Sequence, residues 1–181
     1  MSTATQTQTI WAIDASHSSV EFAVKHMMFT TVKGRFAGVE GTIKADEGNP
    51  TDSAVKVTID VASIDTRDEK RDGHLKSHDF FDAVTFPAIT FESTRVEPQG
   101  DNAFLVHGKL TIRDVTREIA LPTTFHGTGG TPFGTTAAGF SAEIQINRKD
   151  FGLTWNVALE SGGVLVSENV KISLDIQAVK Q

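Results

Sequence analysis

The sequence predicts an all-β fold whose strands close around a shared interior, and three observations carry the prediction. Stretches of the chain alternate apolar and polar residues with a period of two. The clearest are Val20-Phe22-Val24, Val55-Val57-Ile59-Val61, Phe104-Val106-Gly108-Leu110-Ile112, Ala138-Phe140-Ala142-Ile144-Ile146 and Val170-Ile172-Leu174-Ile176-Ala178. Successive side chains of a strand point to opposite faces, so each series lies on one face. The residues between them are mostly polar: Lys56, Thr58 and Asp60, or Lys171, Ser173, Asp175 and Gln177. Each strand therefore has one oily face and one wet face. Almost nothing between the strands reads as a long helix. One-sided strands in such number bury their oily faces by closing on one another, which also removes the edges that invite aggregation.

The elements follow in order. Residues 1–8 read as a disordered polar tail, and a single domain spans 9–181, with no repeat, linker or composition shift to divide it. Strand character begins at Thr9 and resumes from Ser19 to His26, after which Met27-Met28-Phe29 breaks the alternation. From Phe36 to Ala45 the apolar parity changes across Gly38, so a bulge or sharp coil is expected there. Asp46-Glu47-Gly48-Asn49-Pro50 is a turn, and Val55 to Val61 is a strong strand. The charged segment 63–82 holds a short helix around residues 67–82, capped by Thr66 or Asp65. Phe86-Pro87 opens the next strand, with Ile89, Phe91, Ser93 and Arg95 on one face. Phe104 to Arg113 and Glu118 to Phe125 pair through Asp114-Val115-Thr116. Gly127 to Gly134 is a glycine-rich connection. It is no phosphate-binding loop, since no Lys-Ser or Lys-Thr follows the glycines and no helix pattern comes after. Asn147 to Leu153 interrupts the sheet, and Leu165 to Val179 closes the chain.

Composition narrows the partners. The net charge of −6 argues against nucleic acid, whose phosphates want a basic patch. The densest bases, Arg67, Lys70, Arg71 and Lys76, are interleaved with Asp68, Glu69, Asp72 and Asp79 and read as a solvated face. Cysteine is absent, which excludes disulfides and thiolate metal sites. The polar N-terminal residues carry neither a basic region nor an apolar run. No secretory signal and a cytoplasmic location are therefore expected. No segment approaches the roughly 18 apolar residues that span a bilayer.

With about eight strands, a barrel is just wide enough to be filled by side chains or to hold one small ligand. The inward set mixes large residues (Phe22, Phe36, Phe91, Phe104, Phe140) with small ones (Gly41, Gly108, Ala138, Ala142). Small residues leave volume, and an apolar void stays dry and takes apolar guests. A solid interior of interdigitated large and small residues is the alternative.

A series of short motifs runs through the domain. His17-Ser18 precedes the first long strand and Lys25-His26 ends it, followed by Gly34, Phe36 and Gly41. Ser63-Ile64-Asp65-Thr66, Arg71-Asp72, His74-Leu75 and Asp79-Phe80-Phe81-Asp82 lead to Phe86-Pro87 and Phe91. Gly108-Lys109-Leu110-Thr111-Ile112, Val115-Thr116 and Asn147-Arg148-Lys149-Asp150-Phe151-Gly152 complete it. In this order and spacing the chain closely resembles the YceI-like family of lipid-binding proteins, from about Trp11 to Ile176. The resemblance implies an extended, lipocalin-like antiparallel barrel of eight strands with a short helical excursion. It implies an apolar tunnel for a polyisoprenoid, an isoprenoid quinone or a fatty-acid derivative, no catalytic activity, and a homodimer. One departure is Asp114, where the family usually has Gly, which puts the local turn geometry in question.

The residues expected to line the interior and meet a ligand are Phe22, Val24, His26, Phe36, Val57, Ile59, Phe91, Phe104, Gly108, Leu110, Phe140, Ala142, Ile144 and Trp155. His17, His26 and Arg148 are the nominees for its polar end. His26 shares parity with Phe22 and Val24, and protonation would favour an anionic head. His74 and His78, spaced i and i+4, are a possible metal pair on a helix, but no further ligand is placed to complete a site, and no metal is expected. Arg148 with Asp150, and Arg71 with Asp72, read as structural ion pairs. Met27-Met28-Phe29, and Trp155 with Leu153 and Val157, are candidates for a tunnel mouth or a dimer surface. The expected function is carriage of one long apolar lipid without a cofactor, a quinone counting as cargo. A lipid-modifying enzyme with a cavity histidine and carboxylates is the rival.

Overall fold

Three consecutive long strands of this protein bend at the same level, and that shared bend shapes the barrel. The structure, a computed structural model, describes residues 8–46 and 48–181. The expected tail lies outside these residues except for Gln8, which opens β1 (Gln8–Ile13). A 3-10 turn over Ala15–His17 separates β1 from β2 (Ser19–His26), with Asp14 accepting from the Ser16 N–H. Residues 37–38 separate β3 (Thr30–Phe36) from β4 (Val39–Asp46), where the parity change asked for a bend. A second 3-10 turn, Val61–Ser63, separates β5 (Ala54–Asp60) from β6 (Ile64–Asp65). A Cβ on Gly38 would approach Asp60 Cβ to 2.9 Å, so the bend needs glycine. Ser18 mends the ladder at the first bend: its Oγ accepts from the Gln177 N–H at 3.0 Å and donates to Gln177 O at 3.3 Å.

The remaining strands are unbroken: β7 (Ala88–Gly100), β8 (Ala103–Ile112), β9 (Val115–Gly130), β10 (Thr136–Asn147) and β11 (Val166–Lys180). Each pairs antiparallel with its neighbours in the order β1-β4-β5-β7-β8-β9-β10-β11, and a β1–β11 ladder closes the ring into an eight-stranded barrel. β2 continues along β11, and β3 and β6 follow it, so the bent strands extend the wall beyond the ring.

Four local expectations need correction. The glycine-rich run is sheet as far as Gly130, because β9 pairs with β10 through Thr136↔Gly130 and Ala137↔Gly129. A register shift between Ser93 and Arg95 turns Arg95 outward and buries Val96 in its place. The helix, α1 (Glu69–Lys76), is capped by Asp68, which accepts from the Arg71 N–H, and not by Thr66 or Asp65. In the β8–β9 turn the left-handed residue is Arg113 (φ 56°), so the demand for glycine falls one position before Asp114.

The two barrel ends differ. At the end reached by β6 and β10, Phe80 is buried and Phe81 packs edge-on against Phe36 at 5.8 Å. Across that end lies the loop 148–165, where Phe151 and Leu153 are buried. The opposite end is built on Trp11, Ala138 and Ala178, with Phe125 and Phe140 beside them, and Asp46, Pro50 and Ser53 also line the interior.

Candidate functional site

The alternation predicted a wall, and the structure places a cavity of about 690 Å³ behind it, within the range of ligand sites. Phe22, Val24, Phe36, Val57, Ile59, Phe91, Phe104, Leu110, Phe140, Ala142, Ile144 and Arg148 all line it. They come from β2, β3, β5, β7, β8 and β10, with Arg148 just after β10; the ring's other strands β1, β4, β9 and β11 supply further lining, among it Trp11, Ile13, Ile43, Ile119, Phe125 and Leu174. Those residues follow the same period-two rule, yet they stood outside the candidate set. Leu75, Phe80 and Phe81 from the α1 segment complete one end, where no strand pattern could have signalled them.

Glycine keeps the lumen open in a way its small size alone does not suggest. A Cβ on Gly108 would stand 2.5 Å from Phe91 Cζ, so the Phe91 ring lies flat against the Gly108 backbone. Phe22 lies over Gly34 in the same manner. Large rings thus line the wall without reaching across the bore. The same contact removes Gly108 from the lining set: Phe91 covers it.

Three polar or aromatic nominees do not line the cavity. His17 is 64% exposed, with Nδ1 2.8 Å from Asp14 Oδ2, and belongs to the turn between β1 and β2. His26 keeps the inward parity but ends β2, paired with Val166, and is not among the residues that line the cavity. Trp155 stacks edge-on against His74 at 4.6 Å and lies 5.4 Å from Phe80, joining the 148–165 loop to α1.

Arg148 does line the cavity, but its guanidinium is engaged. It is only 5% exposed and donates to Ser167 O (2.9 Å), Leu153 O (2.7 Å), Trp155 O (2.9 Å) and Val166 O (3.2 Å). Burial pulls its pKa down, and nearby Glu168 opposes that. The expected pair with Asp150 is not formed; Asp150 O instead accepts from Arg117 Nε. Arg71 and Asp72 likewise converge on Thr66: Arg71 Nη2 donates to Thr66 O at 2.7 Å, and Asp72 Oδ1 accepts from the Thr66 N–H at 2.9 Å. His74 Nε2 is taken by Asp79 Oδ2 at 2.8 Å, and His78 lies beyond the end of α1. Among the described residues no group of three or more His, Asp or Glu side chains gathers to hold a metal. No described helix is long and apolar enough to cross a membrane.

The model of the YceI-like domain matches residues 11–178. The chain belongs to the YceI-like family. It is 34% identical over 168 residues to a UPF0312 protein of Pseudomonas paraeruginosa, covering 93% of this chain and 84% of that one. Protein YceI of Salmonella newport matches with the same identity and coverage. Among solved structures, this YceI-like barrel is similar to BcnA of Burkholderia cenocepacia, with a TM-score of 0.79 and 28% identity over 91% of this chain and 98% of that one. It shares its fold with a polyisoprenoid-binding domain from Saccharophagus degradans, with a TM-score of 0.72 and 15% identity over 94% and 98% of the two chains.

Proposed function

We propose that this protein binds one long apolar lipid inside the barrel and stores or carries it: a polyisoprenoid, an isoprenoid quinone or a fatty-acid derivative. The observation that carries the reading is the 690 Å³ lumen, walled by aliphatic and phenyl side chains from all eight strands of the ring. Affinity comes mainly from buried methylenes, at roughly 25 cal/mol per Å² of apolar surface before ordering costs. The description of the Saccharophagus domain as polyisoprenoid-binding supports the same cargo class. The rival reading, a lipid-modifying enzyme, needs a histidine inside, whereas neither His17 nor His26 lines the lumen. A bound quinone is then cargo and not a cofactor. The homodimer reading has its surface in Met27-Met28-Phe29, where Phe29 is 81% exposed; two copies meeting there would cover it.

The test is mass spectrometry of an organic extract of the purified protein, alongside Ala142→Phe. Ala142 lines the lumen on β10, so a phenyl there projects into the bore. The native protein yields a stoichiometric lipid, and the variant yields none at an unchanged melting temperature. Equal loading of both proteins would remove the lumen as the binding place.

A further inference from the structure

Among the described residues, Asp46 is the one carboxylate that the lumen wall holds nearly out of solvent, at 5% exposure. It ends β4, and its backbone N–H donates to Ser53 Oγ at 3.1 Å across the loop. Its Oδ1 accepts from the N–H groups of Gly48 and Asn49, both at 3.0 Å, which anchors the carboxylate to the start of the loop after β4. Its Oδ2 is buried and, among the described residues, has no hydrogen-bond partner. Leaving a buried carboxylate oxygen without a donor is unfavourable, so the site is incomplete until something donates to it. Ser53 also lines the cavity. Its Oγ accepts from Asp46, which leaves its own proton for a guest.

One free acceptor beside one free hydroxyl suits a group that both donates once and accepts once. An alcohol or phenol does so. An ammonium brings three donors and no acceptor, and a phosphate or carboxylate brings negative charge against Asp46. The opposite end offers an anion little, because the Arg148 guanidinium is spent on four carbonyl oxygens. No Lys or His side chain of the described residues lines the cavity.

We propose that Asp46 and Ser53 form a head-group subsite selecting lipids that end in a hydroxyl over those that end in a phosphate. This deepens the lumen-binding reading and rests on it. The cargo then lies with its hydroxyl at Asp46 and Ser53 and its tail toward Leu75, Phe80 and Phe81.

Delipidated protein is offered equal amounts of geranylgeraniol and geranylgeranyl monophosphate, and loading is read by native mass spectrometry. Squalene, which has no head, is loaded separately. The native protein takes the alcohol over the phosphate by about tenfold or more, the order of one hydrogen bond to a charged group. Asp46→Asn keeps an oxygen for the Gly48 and Asn49 N–H groups but replaces the free acceptor with a donor. It brings the ratio toward one and leaves squalene loading unchanged. Ser53→Ala lowers the same ratio severalfold and reads the subsite even if Asp46→Asn fails to fold. A phosphate preference in the native protein, or a ratio untouched by these substitutions while squalene still loads, overturns the subsite and leaves the lumen reading standing. Failure of all three probes to load overturns the lumen reading itself.

Discussion

A Cβ at Gly108 would meet Phe91 Cζ at 2.5 Å and Glu92 O at 2.7 Å, so even alanine has no room there unless the ring moves. Gly108→Ala is expected to cost about 1–3 kcal/mol, as overpacking does, read as a lower urea midpoint at unchanged slope. Gly108→Phe is expected not to fold, so Ala142 is the position from which to block the bore. Parity in the sequence marked Gly108 as inward, and it is. What parity cannot register is a ring from the paired strand lying over it, since that depends on a neighbour's rotamer. Arg148 teaches the same lesson: the nearby Asp150 suggested an ion pair, yet the guanidinium finds carbonyls up to 19 positions away in the chain. Asp46 read only as the first residue of a turn, because its burial depends on contacts with Gly48, Asn49 and Ser53 that parity does not register.

The loop 148–165 opens with a 3-10 turn, Arg148–Phe151, and Arg148 organises it. Donating to Leu153 O and Trp155 O on the loop, and to Val166 O and Ser167 O at the start of β11, the guanidinium holds the loop over the barrel end. Asn156 adds a second tie: its Nδ2 donates to Val166 O at 2.7 Å and its Oδ1 accepts from the Val166 N–H at 3.0 Å. Arg148→Met leaves several buried carbonyls without a donor. At about 1–3 kcal/mol for each unsatisfied group, it is expected to destabilise the protein strongly. Amide hydrogen exchange then speeds up across 153–167 before the β8–β9 hairpin responds; uniform acceleration in both would deny Arg148 this local role. The strands themselves were legible because their period is local. The corners were partly so: Gly38 and the parity change announced one bend, and the 3-10 turn Ala15–His17 that breaks the first strand carried no such signal.

For the molecule as a whole, acid stability follows from carboxylates spread over the outer surface. The Ser16 and His17 side chains hold Asp14 below its ordinary value, as the Arg71 N–H does Asp68. The His107 side chain does the same for Glu97, as the Lys149 and Asn147 side chains do for Glu168. A carboxyl whose folded pKa is depressed contributes stability above its unfolded value and loses it as pH falls through the folded one. The urea midpoint is therefore expected to stay level down to about pH 5 and to fall below about pH 4. Asp14→Asn with Glu97→Gln flattens that acid limb, each by a small amount because the groups are exposed. A limb unchanged in the double variant would place the acid sensitivity elsewhere. By itself the sequence determined that this chain is a closed barrel of one-sided strands with hydrocarbon inside, because side-chain direction in a strand depends only on whether a position is odd or even. Only the tertiary structure decided that the inside is hollow, that Arg148 is occupied and that Asp46 keeps a free oxygen. Volume and hydrogen-bond satisfaction are set by residues distant in the chain meeting in space.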